Sequence, residues 1–143
     1  MMIVDNLNLG MFSCDRTERC LYPSIQKIPT SSPFPFPDCP QLSQIFSYID
    51  ANYCQNIGLN DISQVFGYSP SYLTNLVRRL TGKTLYQWLI DRRMFQARYL
   101  LLNTDLPVHQ IARSVGYEDA GHFIKHFRQH HALPPKTWRE HRN

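Results

Sequence analysis

The chain has 143 residues, 43% of them apolar, which is enough for one packed domain with a short extension and argues against wholesale disorder. It contains neither a run of 18 apolar residues nor a basic stretch followed by an apolar core at its start, so we expect no membrane span, no secretory leader and a cytoplasmic location. The net charge is −1 over residues 1–40 and +5 over the remainder, a balance that suits a polyanionic partner or a merely solvated basic surface.

Residues 1–40 are predicted to be a poorly ordered extension or linker. Proline recurs through residues 29–37, which disfavours helix and favours an extended chain. Three cysteines, Cys14, Cys20 and Cys39, fall in this part, and Cys54 follows it. We expect them to be reduced, although a zinc site built on the first three is an alternative that their spacing does little to support.

Residues 41–141 are predicted to form one helical domain. The first helix is predicted from the apolar spacing of Leu42, Ile45, Phe46 and Ile49, and it should end near Tyr53. A short second helix is predicted to start at Asn60 or Asp61 and to stop at Gly67. Ser69 and Pro70 are a strong start signal for a third, which should end at Gly82 and bury the side chains of Leu73, Leu76, Val77 and Leu80.

The second half predicts four more helices. Thr84 should cap a long helix that reaches about Leu102 and joins the two halves of the domain. Pro107 should open the fifth helix and Gly116 close it, Asp119 should cap the sixth, and Pro134-Pro135 should begin a last helix that carries Trp138. The predicted fold is therefore all-α, with seven helices.

One pattern occurs twice, which indicates a duplicated unit. The positions of Leu59, Ile62, Gly67 and Tyr68 are matched 49 residues later by Val108, Ile111, Gly116 and Tyr117. Those of Leu73, Val77, Arg78 and Trp88 are matched 50 residues later by Phe123, Phe127, Arg128 and Trp138. Each copy predicts a helix, a tight glycine turn and a second amphipathic helix, the outline of a helix-turn-helix. The glycines should provide a positive φ and a close helix approach, the tyrosines should pack over the turn, and the tryptophans should anchor the core.

The second helix of a helix-turn-helix lies in the DNA major groove, so its outward residues are candidate contacts. In the first unit they are Ser71, Thr74, Asn75, Arg78 and Arg79. In the second they are Ala120, Gly121, His122, Ile124, Lys125, Arg128 and Gln129. An ordinary solvated helix face is the alternative. Gly121 either permits close approach to DNA or is simply tolerated at a cost of roughly 1 kcal/mol.

The histidines His122, His126 and His130 follow one another at four-residue intervals, so they should share one side of the sixth helix. They could contact DNA, bind a metal or form a passive surface, and the metal is the least supported because the neighbouring sequence offers no further ligand. If they face DNA, affinity should rise as the pH falls toward about 6.5.

The ordered motifs resemble a known family. They are Gly67 to Leu73, Arg78, Gly82, Ile111-Ala112, Val115 to Tyr117, Phe123, Phe127-Arg128, Pro135, Trp138 and Arg139. Over residues 41–141 they resemble the C-terminal DNA-binding domain of AraC/XylS-type transcription regulators. The resemblance implies two helix-turn-helix subdomains joined by a long linker helix. It implies base-facing positions at Ser71, Thr74, Asn75, Ala120, Gly121, His122, Ile124 and Lys125, and phosphate-facing positions at Arg78 and Arg128.

Four features depart from the family pattern. Ala132 replaces a usual glycine, so the sixth helix is expected to end differently. Val77 replaces a usual phenylalanine, and Ile124 replaces a small polar residue, which bears on the base preference of the second unit. Only forty residues precede the domain, where relatives carry an effector or dimerisation domain. The chain is then a stand-alone member or a fragment of a longer regulator.

The predicted function is sequence-specific binding of double-stranded DNA as a transcription regulator, an activator by resemblance, with no cofactor and no metal. A monomer should place its two recognition helices in successive major grooves, with a dimer as the alternative, and RNA polymerase is the implied partner. A protein-interaction module that retains the fold without specific DNA recognition is the second hypothesis. An enzyme with a cysteine nucleophile is the third, and no pattern of catalytic residues supports it.

Overall fold

The structure, a computed structural model that describes residues 34–142, contains seven α-helices and no β-strand within that range. The seven-helix, all-α prediction is confirmed. A 3-10 turn over Pro40–Leu42 leads into the first helix. The helices are α1 Ser43–Asn52, α2 Leu59–Phe66, α3 Pro70–Thr81, α4 Leu85–Asn103, α5 Val108–Ser114, α6 Ala120–His131 and α7 Pro135–Arg142.

Two hydrophobic cores form on the two halves of α4. Leu85, Trp88 and Leu89 of α4 pack with α1, α2 and α3 in the first core. Met94, Ala97, Leu100 and Leu101 pack with α5 and α6 in the second, and Trp138 of α7 lies against it. The long helix therefore supplies one wall of each helix-turn-helix core, as the sequence predicts for a linker.

Side-chain caps begin three of the helices at the predicted residues. Ser69 Oγ accepts a hydrogen bond from Tyr72 N at 3.1 Å and starts α3. Thr84 Oγ1 accepts from Gln87 N at 3.1 Å, and Gln87 Oε1 accepts from Thr84 N at 2.8 Å, which makes a complete capping box for α4. Asp119 Oδ1 accepts from Gly121 N at 3.0 Å and starts α6. These bonds satisfy donors that a helix N-terminus leaves without intrahelical partners.

Two local predictions were wrong. The helix α2 begins at Leu59, because Gly58 occupies the cap and its N–H donates to Asp61 Oδ2 at 2.9 Å, which places Asp61 inside the helix. Leu80 is 38% exposed, since the inward stripe of α3 ends at Val77. The helix α5 ends at Ser114 and Gly116 closes it as predicted, since the N–H groups of Gly116 and Tyr117 donate to Arg113 O at 3.2 Å and to Ala112 O at 2.9 Å.

The end of α6 also differs from expectation. Ala132 adopts a left-handed conformation, with φ 66°, and its N–H donates to Arg128 O at 2.8 Å. Gly82 ends α3 in the same way, with φ 82° and a 2.8 Å bond to Arg78 O. The replacement of glycine by alanine therefore leaves the geometry of the helix end unchanged and adds backbone strain.

Residues 34–39, which the sequence analysis assigns to the extension, lie against the domain. The Phe36 ring stacks on Phe46 with 4.8 Å between centroids, and the Phe34 ring meets Phe95 edge-on at 5.3 Å. Cys39 is half-buried against the first core. The expectation of disorder for residues 1–33, and the sites of Cys14 and Cys20, lie outside the described residues.

Candidate nucleic-acid interface

The outward face of α3 carries the five residues predicted for it. Leu73, Leu76 and Val77 are buried and hold the helix on the first core. Consequently Ser71, Asn75, Arg78 and Arg79 are exposed, and Thr74 is half-buried at the edge of the stripe. The arginines lie in the last turn, where positive charge also interacts favourably with the helix dipole.

The outward face of α6 carries six of its seven predicted residues. Phe123 and Phe127 are fully buried and fix the rotation of the helix. The exposed residues are Gly121, His122, Ile124, Lys125, Arg128 and Gln129. Ala120 is half-buried and packs against the second core, so its side chain contributes less to this surface than predicted.

The two Gly-Tyr pairs perform different tasks. Both glycines have the predicted positive φ, 75° at Gly67 and 106° at Gly116. Tyr117 is buried as expected, whereas Tyr68 is 37% exposed and its ring lies 5.2 Å from that of Tyr72, another exposed residue at the start of α3. The prediction that both tyrosines pack over their turns is therefore wrong for Tyr68.

Five of the basic residues that give the domain its net positive charge form hydrogen bonds to other residues of the fold. They are Lys83, Arg92, Arg93, Arg98 and Arg139. Arg92 pairs with Asp50 and lies over the Tyr53 ring at 4.1 Å. The sequence does contain a signal for the burial of Arg92 and Arg93, because they follow the core residues Trp88 and Leu89 by four positions and therefore share their buried face of the helix.

The remaining lysine and arginine side chains between residues 34 and 141 are exposed. Besides the predicted Arg78, Arg79, Lys125 and Arg128, they include Arg113 on α5 and Lys136 in the first turn of α7. Sequence reasoning did not single out these last two, because one basic residue on a short helix carries no periodic signal. They extend the positive surface beyond α3 and α6.

The middle of α4 connects the two halves. Arg93 is 6% exposed and donates from Nε to Tyr53 O at 2.9 Å and from Nη2 to Gln55 O at 2.8 Å, just beyond the end of α1. Burial lowers the pKa of Arg93. Gly116 makes this packing possible, since a Cβ there would lie 2.6 Å from Tyr53 O and 2.9 Å from Arg93 Nε.

The histidines of α6 have partners on other elements. His130 Nε2 lies 3.1 Å from Asp91 Oδ1 on α4, and the other oxygen of Asp91 accepts from Lys83 Nζ at 2.7 Å. His126 Nδ1 lies 2.7 Å from Tyr117 Oη. Burial lowers the pKa of His126, and the nearby positive charges lower it further. Within residues 34–142, the His, Cys, Asp and Glu side chains nowhere gather in threes in a way that could hold a metal ion.

Comparisons with known proteins agree on one family. A family profile described as "Helix-turn-helix domain" matches residues 62–141. Regulatory protein PocR of Salmonella typhimurium is 30% identical over 106 residues, which cover 74% of this chain and 35% of PocR. The transcriptional activator AarP of Providencia stuartii is 29% identical over 98 residues, which cover 68% of this chain and 73% of AarP.

Solved structures show the same fold. The C-terminal domain of the response regulator yesN from Fusobacterium nucleatum superimposes with a TM-score of 0.69 at 29% identity, covering 71% of this chain and 99% of that domain. The relatives are transcription regulators, in agreement with the expectation that the chain is not an enzyme. The matched part spans about a third of PocR, so the activity of that whole protein does not transfer directly. The chain belongs to the AraC/XylS family of helix-turn-helix transcription regulators.

Proposed function

We propose that the chain binds double-stranded DNA sequence-specifically and that α3 and α6 enter successive major grooves. One observation carries this proposal: equivalent helices of a duplicated unit each present an exposed stripe with arginine in the last turn, while buried residues hold the opposite face. The sites that the chain selects from a random duplex pool should contain two preferred segments about one helical turn apart. Failure to enrich any sequence over random duplex would contradict the proposal.

Variants separate base contacts from phosphate contacts. We assign base recognition to Asn75 and Lys125, so their replacement by Ala should cost about 1–3 kcal/mol at particular base pairs and relax the preference there. We assign phosphate contacts to Arg78 and Arg128, so their replacement by Ala should weaken binding to selected and random duplex alike. Each of these two replacements should also reduce the log–log salt slope by about 0.9, because one phosphate is no longer neutralised. Equal losses on both duplexes for Asn75→Ala would contradict its role.

The remaining elements of the proposal concern regulation. AarP is named as an activator, and we extend that role to this chain, with RNA polymerase as the protein that it contacts on the promoter. We place the chain in the cytoplasm and expect one copy per site, because one chain carries two recognition helices. Transcription from a promoter carrying the selected site should increase in the presence of the chain. Among residues 34–142, no helix is both long enough and apolar enough to cross a bilayer.

A protein-interaction module is the second candidate, and the start of α6 favours it. Ala120 is half-buried, Gly121 has no side chain, and Ile124 is 37% exposed, so this end offers few hydrogen-bonding groups to bases. A gel shift that compares the selected site with random duplex separates the candidates. Equal affinity for both would favour the interaction module.

A further inference from the structure

A line of three side chains connects the middle of α4 with α6. Arg93 is held by the backbone carbonyls of Tyr53 and Gln55, and its guanidinium carbon lies 5.3 Å from the centroid of the Tyr117 ring. Tyr117 is 5% exposed, and its Oη lies 2.7 Å from His126 Nδ1. The line therefore begins at a buried, fully oriented cation and ends at a half-buried histidine of the proposed recognition helix.

The chemistry of the three groups determines where the protons lie. A guanidinium only donates, so Arg93, whose guanidinium carbon lies 5.3 Å from the centroid of the Tyr117 ring, cannot accept the phenol proton. Burial raises the pKa of Tyr117 well above its ordinary value, so the phenol keeps its proton. That proton is then available to His126 Nδ1. A neutral imidazole that accepts at Nδ1 carries its own proton on Nε2.

The surroundings of His126 keep it neutral. The charged or titratable groups near it are His122, Lys125 and His130 on α6, Arg93 and Tyr86 on α4, and Tyr117 in the turn. Asp91 of α4, the carboxylate that lies against His130, also accepts a hydrogen bond from Lys83. Burial and the neighbouring positive charges both lower the pKa of His126. A second proton is therefore unfavourable at neutral pH.

We infer that Arg93 and Tyr117 fix His126 as the neutral tautomer with its proton on Nε2, and that this N–H donates to a DNA phosphate oxygen beside Lys125. The inference rests on the proposed function for its second half. A phosphate suits the position, because His126 lies at the edge of the exposed face and much of the contact between proteins and DNA is to the backbone. His126 is the contact residue, and Arg93 and Tyr117 are positioning residues.

The tautomer is tested in the free protein, without DNA. In two-bond ¹H–¹⁵N NMR spectra at pH 7.5, His126 should show an unprotonated Nδ1 and a protonated Nε2, while the exposed His109 serves as an internal reference. In Tyr117→Phe, which removes only the hydroxyl, the His126 signals should move toward a mixture of both tautomers. A proton on Nδ1 in the parent protein, or an unchanged His126 pattern in Tyr117→Phe, would overturn the inference.

The contact is tested on a duplex that the full chain selects from a random pool. Replacement of His126 by Phe keeps a ring and removes the donor, so affinity should fall about tenfold, the effect of one hydrogen bond to a charged group. Replacement by Gln restores an N–H near the Nε2 position and should recover most of this loss. Equal affinity of the Phe and Gln variants would overturn the contact. A chain that selects no duplex would instead defeat the proposed function and leave the tautomer result intact.

Discussion

His131 has a hydrogen-bond partner at each ring nitrogen. Arg98 Nη1 lies 3.0 Å from His131 Nε2, and because arginine only donates, Nε2 must accept. Nδ1 then carries the proton and donates to Phe127 O at 3.1 Å. A second proton on the ring would place an N–H donor at Nε2, directly opposite the N–H donor of Arg98. Burial lowers the pKa of His131, and the positive charges of Arg98 and His130 lower it further, which together outweigh the opposite effect of the bond to Phe127 O.

This arrangement predicts a stability that depends on pH. The unfolded chain takes up the proton of this histidine near pH 6.5, while the folded chain resists it until the pH is lower. The free energy of unfolding should therefore fall as the pH drops from about 6.5 toward the lowered pKa of His131. Urea unfolding between pH 7.5 and 5.5 measures the slope.

Two variants connect that slope to one residue. His131→Gln removes one proton uptake and should reduce the pH dependence of stability to the part that His126, whose pKa is also lowered, still contributes, whereas His109→Gln, at an exposed position of α5, should leave it unchanged. An unaltered slope in His131→Gln would contradict the assignment.

At the scale of elements, helices α3 and α6 are twelve-residue copies with the same kind of start and the same kind of end. Their polar stripes and their side-chain caps follow from local sequence, so the sequence analysis located both helices correctly. Their C-terminal residues share a left-handed conformation but not a residue type. Because one helix ends in glycine and the other in alanine, the same substitution can be made in opposite directions at the two helix ends.

Exchanging the two end residues should shift stability in opposite directions. Ala132→Gly should raise the free energy of unfolding by about 1 kcal/mol, because glycine adopts a positive φ without the steric cost that alanine incurs. Gly82→Ala should lower it by a similar amount, since space for the methyl group is open there and only the φ of 82° is unfavourable. Chemical denaturation measures both, and changes of the same sign would contradict the explanation.

A second prediction concerns the first turn of α6. A Cβ at Gly121 would lie 3.4 Å from Asp119 Oδ1, an ordinary contact, so Gly121→Ala should stabilise the protein by up to about 1 kcal/mol. If the glycine is present to admit DNA, the same variant should bind the selected duplex more weakly despite its greater stability. Greater stability with unchanged affinity would show that the glycine is merely tolerated.

At the scale of the whole molecule, the two helix-turn-helix units are joined by contacts that centre on Arg93 and Gly116. The arginine reaches the loop after α1, and the glycine leaves room for it in the turn before α6. These contacts supplement the continuous helix α4 and restrict rotation of one unit about the other. A fixed relation between the units is what the proposed recognition of two neighbouring grooves requires.

The equivalent glycines of the repeat should therefore differ in their tolerance of alanine. Gly116→Ala combines a φ of 106° with contacts at 2.6 and 2.9 Å, and it should destabilise the protein by about 2–4 kcal/mol. Gly67→Ala has an unfavourable φ of 75° but open space, and it should cost only about 1 kcal/mol. Thermal and chemical unfolding measure the difference, and similar losses at both positions would contradict the role of Gly116 in the junction.

The seven helices, the caps of α3, α4 and α6, and the outward stripes of α3 and α6 follow from the amino-acid sequence alone. These features depend on residues within about four positions of one another, such as Thr84 and Gln87 at the start of α4. The same local pattern predicts Leu80 in the core, but the structure shows it 38% exposed. Periodicity alone does not reveal how far along a helix its contact with a neighbouring helix extends.

Only the tertiary structure decided which charges are internal and which reach the surface. Arg93 finds its carbonyl partners about forty residues away, and His130 finds Asp91 at a separation of 39. Net charge cannot distinguish a buried arginine from an exposed one, since both contribute one unit to the same total. The partner of a buried polar group is set by how distant elements pack, and that packing is a property of the whole fold.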